Sequence, residues 1–179
     1  MKGKDERQLG RYLRFLAMIA TSMVVMFALM YLNSYRVLAH AQFSETRLFM
    51  TLIMGASMVF VMLTYMLTAY RSKIANVLIY GGAALLLIVA IWLVRSQSTV
   101  SGIDYMEGMI PHHSIAILTS ERARIVDPRV RELADEIISA QHREIKEMEW
   151  LIADIRKNGV AATEEEANGR PVPDFSMAP

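Results

Sequence analysis

Three apolar runs, at 15–35, 49–69 and 74–94, dominate the first half of the chain, each about 21 residues long and almost free of charge. At 1.5 Å per residue, each predicts a helix long enough for the roughly 30 Å hydrocarbon core of a bilayer. From Phe15 to Val94 the only charged residues are Arg36, Glu45, Arg47, Arg71 and Lys73, whereas both ends of the chain are highly charged. A soluble domain interleaves its charges, so this pattern predicts a membrane region followed by a polar domain. Tyr31, Tyr35, Tyr70, Tyr80 and Trp92 lie toward segment ends, where amphipathic rings favour the membrane interface.

Beyond Arg95 the pattern changes. A polar linker at 96–102 gives way to helical spacing over Met106, Met109, Ile110, His113, Ala116 and Ile117, interrupted by Pro111, which predicts a kink. Asp127 followed by Pro128 marks a second helix start, and Asn158-Gly159 marks its stop. The expected fold is all-α: three transmembrane helices followed by an extracytoplasmic antiparallel helical hairpin. Its divisions are a basic amino terminus (1–14), a membrane region (15–95), the linker (96–102), the hairpin (103–157) and a disordered tail (158–179). One hairpin of this size buries too little to stand alone, so pairing with other copies into a four-helix bundle or larger ring is expected.

Charge adds a direction. Lys2, Lys4, Arg7, Arg11, Arg14, Arg71 and Lys73 fall on one side of the predicted spans, against Arg36, Arg47 and Arg95 on the other. This bias places the amino terminus in the cytoplasm and the carboxy-terminal domain outside, on the periplasmic or outer face of a bacterial inner membrane. Ala39-His40-Ala41 has the form of a signal-peptide cleavage site, but the preceding run is too long for a signal peptide and is expected to remain as an anchor. The net charge of +1 argues against nucleic acid as a partner.

Composition then narrows the chemistry. Cysteine is absent and methionine occurs 14 times. Asp104 to Ile117, DYMEGMIPHHSIAI, carries two methionines, two adjacent histidines and two carboxylates. Thioether and imidazole suit copper(I) and silver(I), which hard oxygen sites bind poorly. Met106, Met109 and His113 share one helix face, and His112 lies about 100° away. Gln141, His142, Glu144 and Met148 follow on the next helix. Asp104 reads as a helix cap or as a partner to a ligand, and Glu144 as an exposed helix residue or a carboxylate that fixes a histidine tautomer. In the second apolar run Met50, Met54, Met58, Met62 and Met66 recur every fourth residue, and Met23, Met26 and Met30 form a shorter stripe in the first. Packing explains such stripes; so does a soft-metal path.

The pattern D-Y-M-x-x-M-I-P-H-H-x-x-A-I from Asp104 to Ile117, with L-A-x-x-I-I-x-x-Q-x-x-E-I-x-x-M from Leu133 to Met148, strongly resembles the bacterial family called domain of unknown function 305. Its members are helical, ferritin-like and implicated in copper binding. The resemblance implies metal association for Met106, Met109, His112, His113 and Met148, with Gln141 and Glu144 at matching polar positions; His142 falls outside the pattern. The three spans look like a membrane-bound subgroup. Larger members hold a full four-helix bundle, and half of one here again implies a homo-oligomer.

The expected function is membrane-anchored binding of copper(I), with silver(I) as surrogate, for tolerance or for delivery to a copper-handling partner. An oligomeric copper(I) channel or transporter using the methionine ladder is the alternative. It is weakened by the reversed orientation and the missing G-x-x-x-G relative to the eukaryotic copper transporters that it resembles. No catalytic residue is expected: no Glu has His three residues later, as carboxylate di-iron bundles require.

Overall fold

A computed structural model describes residues 2–30 and 43–175, so Tyr31, Tyr35, Arg36, the Ala39–Ala41 motif and 176–179 lie outside the described residues. Six helices follow one another: α1 (Lys2–Leu29), α2 (Glu45–Tyr65), α3 (Lys73–Ser96), α4 (Gly102–Arg122), α5 (Pro128–Asn158) and α6 (Glu164–Asn168). There is no strand among the described residues. The chain divides into two compact units, α1–α3 and α4–α6.

In the first unit three stretches are long and apolar enough to cross a membrane, Gln8–Leu29, Glu45–Tyr65 and Lys73–Ser96, of 22, 21 and 24 residues. The helices extend into polar sequence that the apolar runs omit. α1 starts at Lys2 rather than 15, α2 occupies 45–65 rather than 49–69, and α3 covers 73–96. Backbone hydrogen bonding does not stop where hydropathy does, and local caps decide the ends. Ser72 caps α3, accepting from the Ala75 N–H at 3.3 Å. Gln97 closes the helix in the left-handed region (φ 51°), its N–H on the Leu93 carbonyl and its side-chain amide on the Val94 carbonyl.

α2 packs against both α1 and α3. Tyr12, Phe15, Ile19, Val59, Leu63, Tyr70 and Ala83 form the buried core. Tyr70 and Tyr80 also pack between helices: the Tyr70 ring lies 4.9 Å from Tyr12 and 5.3 Å from Phe15, and Tyr80 stacks on Phe60 while hydrogen-bonded to Thr64 at 2.8 Å. Trp92 remains exposed. The Tyr12 hydroxyl donates to Asn76 Oδ1 at 2.7 Å, tying α1 to the α2–α3 turn. At Gly55 an added Cβ would stand 2.3 Å from the Met23 sulfur, so α1 approaches α2 through a thioether seated on a bare backbone.

The second unit is the expected hairpin. Ser101 caps α4, and Asp104 completes a capping box by accepting from the Ser101 N–H at 3.1 Å, so Asp104 is committed to the helix start. Asp127 caps α5 from the position before Pro128, and the paired Arg129 guanidinium holds its carboxyl below the usual carboxylate range. Stability from that cap is therefore present above the ordinary carboxylate pKa and is lost as pH falls through the lowered one. Met106, Ile110, Ile117, Ile145 and Ile152 form the core, flanked by Ile138 and Met148. Glu107 pairs with Arg156 across the hairpin, and Arg131 donates to the Ser120 carbonyl at 3.0 Å. Pro111 sits buried within a continuous α4.

The expectation of disorder after residue 158 does not describe this segment. Thr163 caps α6, and Arg170 bonds Asp154 at 2.7 Å and the Gly159 carbonyl at 3.3 Å, folding the chain back on the end of α5. Composition pointed to disorder because one Arg–Asp contact leaves no periodic trace.

Gly55→Val should lower stability in detergent by about 1–3 kcal/mol through overpacking against Met23. Gly81→Val, where a Cβ meets nothing within 4 Å, should come close to wild type. Equal thermal midpoints for the two variants would remove the close approach from the account.

Candidate metal centre

His113 lies in the buried seam of the hairpin with a side chain only 11% exposed. Its Nδ1 is 2.9 Å from the Met109 carbonyl, one turn earlier on the same helix. Its Nε2 is 2.8 Å from Glu144 Oε2 on α5, and the Gln141 amide donates to that same oxygen at 3.4 Å. A carbonyl only accepts, so Nδ1 carries a hydrogen. Nε2 faces the Glu144 carboxylate at hydrogen-bond distance.

This arrangement separates the residues that the sequence grouped. His113, Glu144 and Gln141 come together. Met106 is buried in the hairpin core, and half-buried Met148 packs against the same cluster. Half-buried Met109 contributes its backbone carbonyl to the histidine. The Met109 carbonyl and Glu144 thus each meet one ring nitrogen, and for the first the 109-to-113 spacing, a full helical turn, was the available signal. His112 is exposed, its ring centroid 6.1 Å from that of His113. His142 is half-buried on α5. No three His, Asp or Glu side chains converge to hold a metal among the described residues. The contacts at this seam thus join one imidazole, one carboxylate and one amide, while Met106 and Met148 belong to the core of the same hairpin.

The methionine ladder does not form a single line. Met50 is 41% exposed, Met54 is half-buried, and Met58, Met62 and Met66 pack against the core of the α1–α3 unit, with Met66 beyond the end of α2. A step of four residues rotates about 40° each time, which distributes the five side chains around the helix. Of the shorter stripe, Met23 rests on Gly55 and the Met30 sulfur lies 3.7 Å from the Thr51 hydroxyl.

Comparison with known proteins locates the resemblance in this second unit. An uncharacterized protein of Acanthamoeba polyphaga mimivirus is 39% identical over 69 residues, covering 37% of this chain and 45% of the viral protein. The chain thus spans less than half the length of that relative. No solved structure matches. Residues 102–178 match the family described as Domain of unknown function (DUF305), a match that falls on the unit holding the His113–Glu144 seam.

Proposed function

We propose that the chain anchors a copper(I)- or silver(I)-binding domain in a bacterial cytoplasmic membrane, with the amino terminus cytoplasmic and the hairpin outside. The supporting observation is the Nδ1 contact to the Met109 carbonyl. It is the orientation that metal-ligating histidines adopt, leaving Nε2 as the donor. Met106, Met109 and Met148 supply thioethers in the same unit, and such a set of neutral soft donors suits a univalent soft ion. Nε2 now engages Glu144, so an incoming ion would displace that contact and leave the carboxylate beside the site. The role is capture and transfer rather than catalysis, with a copper-handling protein as recipient.

The hairpin is proposed to work as an oligomer. Tyr105, Val130 and Leu133 are each at least half exposed, apolar surface that a second copy would cover. Burial contributes about 25 cal/mol per Å2, and anchoring in one membrane keeps copies close. The transport alternative draws less support, because the ladder is divided between core packing and exposure.

Anaerobic titration of the detergent-solubilised protein tests the site. His113→Ala should weaken copper(I) binding at least about tenfold, whereas Arg124→Ala in the exposed turn should bind like wild type. Glu144→Gln, which removes the carboxylate that contacts Nε2, should change copper(I) affinity less than His113→Ala does. Equal affinities for the His113 and Arg124 variants would defeat the assignment.

Topology has a separate check, since the chain contains no native cysteine. A cysteine at exposed Asn168 should react with a membrane-impermeant reagent added to intact cells, and one at Lys4 should not. The reverse labelling would overturn the orientation while leaving the metal chemistry untouched.

A further inference from the structure

One end of the α1–α3 unit concentrates positive charge. Arg11 and Arg14 stand exposed on α1, and Arg71 and Lys73 stand exposed at the turn between α2 and α3. The Tyr12 hydroxyl donates to Asn76 Oδ1 at 2.7 Å and accepts from the Ser72 N–H at 3.2 Å, which sets α1 level with that turn. All four cations therefore lie within about one helical turn of the same height. Neither 8–30 nor 65–76 contains an Asp or Glu. Among the described residues no ion pair engages any of the four; Arg71 donates to the Thr68 carbonyl at 3.3 Å. The same end holds the amino terminus of α3, which adds the positive pole of its helix dipole. The opposite end has mixed charge: Glu45, Arg47 and Arg95.

We propose that this end binds the phosphate headgroup of anionic phospholipid, phosphatidylglycerol being the probe of choice. Arg11 and Arg14 lie inside the apolar stretch Gln8–Leu29, so their stems run along the helix while the guanidinium groups extend to headgroup level. Guanidinium groups pair with phosphate oxygens through two parallel hydrogen bonds, and Lys73 adds a point charge. An anionic lipid supplies countercharge to these four side chains, whereas a zwitterionic headgroup carries its own ammonium. The inference depends on the three helices lying in a bilayer but not on metal binding. Recovery of the chain in the membrane fraction, resistant to alkaline wash, tests that premise separately.

The full-length protein in mild detergent would be titrated with dioleoyl-phosphatidylglycerol and with dioleoyl-phosphatidylcholine, and bound lipid counted by native mass spectrometry. Wild type should retain the anionic lipid at least about tenfold more strongly than the neutral one, on the scale of about fivefold per basic residue at a charged surface. Replacing Arg11, Arg14, Arg71 and Lys73 together with Gln should remove the preference. Arg71→Gln with Lys73→Gln, both in the exposed turn, should reduce it and guards against misfolding of the fourfold variant. Arg47→Gln with Arg95→Gln at the other end should leave it intact. Undiminished preference in the turn variant, or equal loss in the opposite-end variant, would overturn the proposal.

Discussion

The second unit depends on one buried ring held at both of its nitrogens. His113 lies three residues after Ile110 and four before Ile117, both fully buried, and its partner Glu144 precedes buried Ile145. The polar bridge therefore runs through the apolar seam and locks the register of α4 against α5. The ring end of this bridge is shielded from water while the Glu144 end reaches solvent, so losing Glu144 would cost mainly by leaving the buried Nε2 unpaired. The Glu107–Arg156 pair and the Arg131 contact to Ser120 bracket it toward either end of the hairpin.

The first unit is held by different means. Between helices in lipid the hydrophobic effect gives little drive, so close packing and polar ties matter more. Gly55, Ala56, Ala83 and Ala90 are buried small residues, and the Tyr12–Asn76 bond supplies a polar tie. An apolar cavity of about 340 Å3 lies between the three helices, bordered by Met23, Val59 and Leu86 among others. Methionine in this unit serves mainly to fill gaps that small residues leave, as Met23 does above Gly55.

What the sequence made legible followed from periodicity and caps. The number and order of the long helices, the Asp127-Pro128 start and the Gly159 stop all rest on local rules that neighbours in the chain enforce. Span ends were missed because hydropathy reports on solvent, whereas the backbone continues into polar residues such as Glu45 and Arg11. That Tyr70 and Tyr80 pack on Tyr12, Phe15 and Phe60 was not legible, because an aromatic ring suits an interface and a helix crossing equally well. At the site, residue types identified His113 and Glu144. They could not show that a main-chain carbonyl occupies Nδ1, nor that Met106 is enclosed by isoleucines, because both depend on the register of two helices. The Arg170 contact with Asp154 escaped for the same reason.

The Glu144 carboxylate beside His113 bears on how neighbouring sites would influence one another. Each ion bound there would bring its own valence to the hairpin that holds it. Copies gathered in one assembly would then oppose one another as they load, since Coulomb energy between subunits grows with the product of the added charges. Two divalent ions would repel about four times as strongly as two univalent ones at the same separation. Valence, as well as ligand softness, would then discriminate between cargoes.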